Sequence, residues 1–193
     1  MNETTNKRSN QPNNNPNTKL MVLTALMTAM TTLATLFFRF PIGNGYIHLG
    51  DSIILLAAML LPCSYALFAG AVGACLADII SGYAVWAPWS FFIKLVMVLI
   101  MQAALHFADH ATEDSLHILK VPAAEFIGFL LAGIETVAGY YVAEGIIYGN
   151  WITPAVGAPF NFLQVLVGAV LAVLISQAMY RAASSFPFRY RRK

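Results

Sequence analysis

His48 and Asp51 stand three residues apart in the run from Gly43 to Ser52, Gly-Asn-Gly-Tyr-Ile-His-Leu-Gly-Asp-Ser. It is the one passage where glycines, an aromatic ring, an imidazole and a carboxylate meet between two apolar segments. An imidazole and a carboxylate can act as acid, base or metal ligands, and beside Tyr46 they can also stack on and hydrogen-bond a small molecule. The glycines at 43, 45 and 50 free the backbone to fold over such a molecule. Catalysis or metal binding is the weaker use of these groups. Gly50 interrupts any helical face shared by His48 and Asp51, and a metal needs a third ligand at the same depth, for which only Asp78 offers. No catalytic residue and no metal ligand is assigned. The plainest alternative is an ordinary turn between membrane helices.

The remaining chemistry-bearing residues are sparse. Asp78, Lys94, Glu135, Asn161 and Gln164 each lie within or at the end of an apolar segment. The chain has 193 residues, 59% of them hydrophobic and 10% charged, with mean hydropathy +0.67. A soluble domain carries roughly 25% charged residues, so this is an integral membrane protein. Cys63 and Cys75 sit in apolar runs and suggest neither a disulfide nor a metal pair. No phosphate-cradling Gly-x-x-x-x-Gly-Lys-Ser/Thr loop occurs, so any ATP hydrolysis belongs to another chain, and no cofactor is expected. The net charge of +2 is concentrated at the two ends of the chain and does not indicate nucleic-acid binding.

Six helices are expected to position these groups. Residues 1–18, rich in Asn and Pro, read as a disordered tail without a cleavable signal peptide, 19–182 as the membrane domain, and 183–193 as a basic tail. Helix 1 runs from Leu20 to Phe38. Helix 2, Asp51 to Leu61, is about 16 Å long and too short to cross a bilayer core of about 30 Å. The loop before it must then reach membrane depth, where irregular backbone persists only if it is buried in protein or lines a cavity. Helix 3 spans Tyr65–Ile80, helix 4 about Pro88–Phe107, helix 5 about Val121–Ala143 and helix 6 Pro159 to about Tyr180, leaving Glu144–Ala158 as a loop. Small residues line one face of helix 3 (Ala66, Ala69, Gly70, Gly73, Ala74, Ala77) and one of helix 1 (Ala25, Thr28, Ala29, Thr32), as close helix contact in lipid requires. Lys7, Arg8 and Lys19 precede helix 1, Arg181, Arg189, Arg191, Arg192 and Lys193 follow helix 6, and Lys120 lies in the connection between helices 4 and 5. The positive-inside rule therefore places both termini and that connection in the cytoplasm, and the glycine loop, the Tyr83/Trp86 loop and the Tyr148/Trp151 loop on the outer face.

On this topology Lys94 and Glu135 reach similar depths from the outer face, and an ion pair between them, or a cavity shared by them, is expected. Asn161 and Gln164 enter from helix 6, Asp51 and Asp78 mark the outer ends of helices 2 and 3, and Tyr46, Tyr83 and Trp86 lie in loops above. Together with His48 these are the candidate substrate-binding residues, since a pocket with a few convergent polar groups is the default binding site. Trp89, Tyr140 and Trp151 read as an interfacial aromatic belt.

Gly45-Tyr-Ile-His-Leu-Gly-Asp51, Ala77-Asp-Ile-Ile-Ser-Gly-Tyr83, Ala25-x-x-x-Ala29 and the short second helix together resemble the S component of an energy-coupling factor (ECF) transporter, and the likeness covers Lys19 to about Arg181. Within that family the chain is most similar to the group assigned to hydroxymethylpyrimidine, with pyridoxine-type specificity close by. The resemblance implies a non-enzymatic subunit of a bacterial cell membrane. It would capture a vitamin or its precursor from outside and dock through the Ala25, Thr28, Ala29 and Thr32 face on a transmembrane T component driven by two ATPases. Two rival classes remain from the residues alone: an intramembrane enzyme using His48 and Asp51, and a stand-alone ion-coupled carrier using Asp78, Lys94 and Glu135.

Overall fold

The computed structural model describes residues 16–42, 45–109, 117–118 and 121–182. Most of the two expected tails and the tip Gly43–Asn44 lie outside the described residues, as do 110–116 and 119–120. The chain folds as α1 (Pro16–Phe37), β1 (Arg39–Ile42), β2 (Gly45–His48), α2 (Gly50–Leu60), α3 (Cys63–Ile80), α4 (Ala87–Asp109), β3 (His117–Ile118), β4 (Val121–Pro122), α5 (Ala123–Tyr148) and α6 (Ile152–Ala182). Five of the six helices have the length and hydropathy to cross a membrane, α2 being the short one. Residues 16–18, expected in the disordered tail, belong to the first turn of α1.

Around the bundle α1 packs on α3, α3 on α4, α4 on α5, α5 on α6, α6 on α2 and α2 on α1, while α2 also touches α3 and α4. The short helix is thus the centre of the molecule, and all eleven of its residues are buried. This accounts for a segment apolar on every side: it has no solvent-facing or lipid-facing stripe to keep. Its ends are satisfied by the rest of the chain, as a buried helix requires. The Gln102 amide of α4 donates to the carbonyls of Ala58 and Leu61 at the C-terminal end, the latter at 3.0 Å. At the other end His48 Nδ1 accepts from the Gly50 N–H at 3.1 Å.

The small face of α3 is buried throughout, from Ala66 to Ala77. A Cβ on Gly73 would lie 2.7 Å from Thr31 Cβ and 3.1 Å from the Thr28 carbonyl, so α1 and α3 meet backbone to backbone there. Thr32 Oγ1 donates to the Gly73 carbonyl at 3.0 Å. Two of the four residues expected to dock a partner, Thr28 and Thr32, are therefore buried inside the bundle, and only Ala25 and Ala29 are exposed.

The segment before α2, expected to be an irregular glycine loop, is an antiparallel hairpin pairing Arg39 with His48 and Phe40 with Ile47. Strand pairing satisfies backbone groups of this segment within the chain, as the membrane depth expected for it would require. A second correction concerns Glu144–Ala158, which is helical except for Gly149–Trp151. Gly149 takes φ +64, reversing the chain, and Asn150 Oδ1 caps the next helix by accepting from the N–H groups of Ile152 and Thr153 at 3.2 and 2.9 Å. Pro159 is carried inside α6.

Candidate functional site

Asp51, in the first turn of α2, is completely buried, and its two oxygens are divided between two helices. Oδ1 lies 2.8 Å from Lys94 Nζ on α4, and Oδ2 accepts from Gln164 Nε2 on α6 at 2.8 Å. Gln164 is itself aligned from the other side, its Oε1 accepting the His48 backbone N–H at 3.0 Å. Gly168, one turn further along α6, makes this reach possible: a Cβ there would lie 3.1 Å from Asp51 Cβ and 3.2 Å from the Ser52 nitrogen. The Lys94 ammonium also sits 5.2 Å from the centre of the Tyr140 ring, a cation over an aromatic face. Tyr140 shares a hydrogen bond with Ser90 of α4 at 3.1 Å. Four helices and the hairpin are tied together through one carboxylate.

This arrangement replaces the expected partnership of Lys94 with Glu135. The helix order explains the difference. With α5 extending to Tyr148, Glu135 lies thirteen residues, or about 20 Å, from that end rather than the shallower depth expected. Glu135 instead accepts a hydrogen bond from its neighbour Thr136 at 3.3 Å.

Above the Asp51 knot opens a cavity of about 340 Å³, at the lower end of the roughly 300–1,000 Å³ of small-molecule sites. It occupies the end of the bundle where α3 and α5 finish and α4 and α6 begin, opposite the start of α1 and the end of α6. The hairpin closes one side with Ile47 and His48, Asp78 enters from the last turn of α3, and Tyr83 and Trp86 enter from the α3–α4 turn. From α5 come Tyr140, Glu144 and Tyr148, and from α6 Thr153, Gly157, Asn161 and Gln164, among others. The Trp86 ring lies 6.2 Å from that of Tyr140 and 6.1 Å from that of Tyr148, distances typical of interacting aromatic pairs.

Of the ten binding residues expected from the sequence, His48, Asp78, Tyr83, Trp86, Asn161 and Gln164 line this cavity. Asp51 and Lys94 lie directly behind it as the buried pair, and Glu135 is not part of its wall. Of Tyr46 only the backbone, paired with Pro41, is described. Tyr140, expected in the interfacial belt, faces the cavity, and Glu144, Tyr148 and Thr153 join it from a segment expected to be loop. Among the described residues no three His, Cys, Asp or Glu side chains are grouped to hold a metal.

Burial holds the His48 imidazole down at about pKa 4, with the nearby Lys94 charge adding to the effect and Asp51 opposing it. His48 is therefore neutral at physiological pH and able to accept at Nδ1. Because the folded value lies below the ordinary 6.5, the unfolded chain takes up the proton first as pH falls. Stability is expected to be unaffected above about pH 6.5 and to decline by about 3 kcal/mol between there and pH 4. His48→Asn keeps an acceptor without the titration, so the difference between the two proteins' melting temperatures should shrink over that interval. A wild-type profile no steeper than that of His48→Asn would show that the ring is not buried as a neutral acceptor.

A bundle of membrane-length helices around a buried short one, with a polar and aromatic cavity of small-molecule size at one end, defines a multi-pass membrane protein. Comparison with known proteins gives the family. The family model described as ECF-type riboflavin transporter, S component, matches residues 15–181, and the chain belongs to that family. It is 34% identical over 146 residues to an uncharacterised protein of Pyrococcus woesei, covering 75% of this chain and 87% of that one. A shorter stretch of 65 residues is 35% identical to the thiamine precursor transporter HmpT of Lactococcus lactis, covering 34% of this chain and 39% of that protein. The fold matches a solved structure described as the S component of a bacterial ECF transporter, with a TM-score of 0.69 over 87% of this chain and 99% of that one, at 16% identity. The protein is thus a transporter subunit of the cell membrane and not an enzyme.

Proposed function

We propose that the chain captures a small heteroaromatic vitamin precursor, hydroxymethylpyrimidine in the first instance, and delivers it through a T component and two ATPases. The cavity carries this reading. It combines an aromatic wall of Trp86, Tyr140 and Tyr148 with carboxylates at Asp78 and Glu144 and amides at Asn161 and Gln164, which suits a flat ring bearing N–H and O–H groups. The partial likeness to a thiamine precursor transporter favours the pyrimidine. The cavity lies opposite the start of α1 and the end of α6, and the Lys and Arg residues of the sequence before α1 and after α6 favour an outward-facing mouth. Pyridoxine fits the same chemistry, and riboflavin is a second candidate because the matched family's description names it.

Purified protein is expected to bind hydroxymethylpyrimidine without ATP and to show quenching of Trp86 fluorescence, lost in Trp86→Phe. Isothermal titration with hydroxymethylpyrimidine, pyridoxine, thiamine, riboflavin and pantothenate checks this. Heat from none of the five would remove the vitamin-capture reading, and heat from riboflavin alone would replace the pyrimidine as substrate.

A further inference from the structure

Glu144 is set into the cavity wall with unusual care for a residue outside the Asp51 knot. Its carboxylate lies across α6 at Gly157, where a Cβ would stand 3.3 Å from Oε2 and 3.5 Å from Oε1. Asn161, one turn further along the same face of α6, hydrogen-bonds the carboxylate. On its own helix Glu144 is flanked four residues to either side by Tyr140 and Tyr148, so the three make one stripe, ring, carboxylate, ring. Trp86 packs against both tyrosines and so bridges the two ends of that stripe. A flat ligand resting on this aromatic surface would turn an edge toward Glu144. The charges in the wall are one-sided: Asp78 and Glu144 are carboxylates, His48 is neutral, and no Lys or Arg is among the described lining residues. The nearest ammonium, that of Lys94, is engaged by Asp51 behind the wall.

We propose that Glu144, held by Asn161 and accommodated by Gly157, is the specificity-determining residue of the cavity, selecting ligands whose ring edge donates N–H groups, an amine beside a ring nitrogen, over keto or phosphorylated counterparts. This rests on the reading that the cavity takes a heteroaromatic vitamin precursor. An ionised carboxylate only accepts hydrogen bonds. An amino group offers it a donor, whereas a keto oxygen sets acceptor against acceptor, at a half-buried carboxylate that a seated ligand would screen from water. An acceptor left unsatisfied in this way costs about 1–3 kcal/mol, or roughly 5- to 150-fold in affinity. A phosphate ester brings further negative charge to a wall that already carries two carboxylates.

The test is titration of the full-length protein with hydroxymethylpyrimidine, the analogue in which its amino group is replaced by a keto oxygen, and its monophosphate, followed by the rest of the vitamin panel. The wild type is expected to prefer the amine about 30-fold over the keto analogue, and more strongly over the phosphate. In Glu144→Gln the amide can turn either its N–H or its oxygen to the ligand, so the preference should fall below about fivefold, mainly through weaker binding of the amine. Glu144→Asp should keep the preference at lower affinity. Gly157→Ala should weaken the amine a few fold with little change in melting temperature, a control that separates site geometry from folding. An undiminished preference in Glu144→Gln overturns the proposal. Binding of riboflavin or another panel member without binding of the amine overturns it too while leaving vitamin capture standing, and silence across the whole panel removes both.

Discussion

Lys94→Met is expected to destabilise the protein by about 3–5 kcal/mol, because it strands the Asp51 carboxylate at a place where neither partner has any exposure. Gln164 would remain as a neutral donor, and one amide does not compensate a charge at membrane depth. Asp51→Asn should cost a comparable amount by stranding the ammonium. The double variant Asp51→Asn/Lys94→Met should recover most of the loss, since no charge is left and the Asn oxygen still accepts from Gln164. Thermal unfolding of the four proteins in detergent forms a double-mutant cycle. If the two losses simply add in the double variant, the pair is not a coupled unit and the centre of the bundle is held by packing alone. Glu135→Gln serves as contrast: half-buried and bonded to Thr136 rather than Lys94, it should change stability little and leave ligand affinity unaltered. The single Lys94 and Asp51 variants should also bind ligand more weakly, because Asp51 holds Gln164 and Gln164 holds the His48 backbone at the cavity wall.

The helices are legible in the sequence where one residue class dominates. The small face of α3 is recovered from Ala66 to Ala77, because in lipid a run of Ala and Gly at helical spacing has little use other than close contact. The shortness of α2 follows from the length of its apolar run alone. Pairing is not legible. Lys94 has Asp51, Asp78 and Glu135 as conceivable partners, and the choice depends on α2 standing at the centre of the ring, which no spacing within α4 reveals. The α5–α6 boundary fails for a different reason. Pro159 reads as a helix start, although a membrane helix can carry proline within it, and the Gly149-Asn150 pair that ends one helix and caps the next is the truer signal. The misplaced boundary hides the helical positions of Glu144, Tyr148 and Gly157, three residues of the cavity wall. The four-residue face on α1 is divided by the bundle: Thr28 and Thr32 point to α3 while Ala25 and Ala29, one turn apart, stay on the outer surface.

That division of α1 sharpens the docking prediction. Ala25 and Ala29 form a shallow strip among larger exposed side chains, Val22 at 62% exposure, Leu26 at 51% and Leu33 at 50%, so a partner helix could approach the α1 backbone there. If the T component occupies this strip, Ala25→Trp and Ala29→Trp should block its approach by bulk while touching nothing inside the bundle. Ligand affinity should stay within about twofold of wild type, because the cavity is formed at the far ends of other elements, while assembly and uptake fall at least tenfold. Thr28→Trp and Thr32→Trp should behave differently. Their side chains are buried against α3 around Gly73, where a Cβ already has no room, so the larger ring should lower the melting temperature and reduce ligand binding as well. Pull-down of the T component and ATPases, vitamin uptake, and ligand titration on the same four variants separate the cases. Intact assembly and uptake in both alanine variants would show that the strip faces lipid, and the docking surface would then have to be sought on another helix.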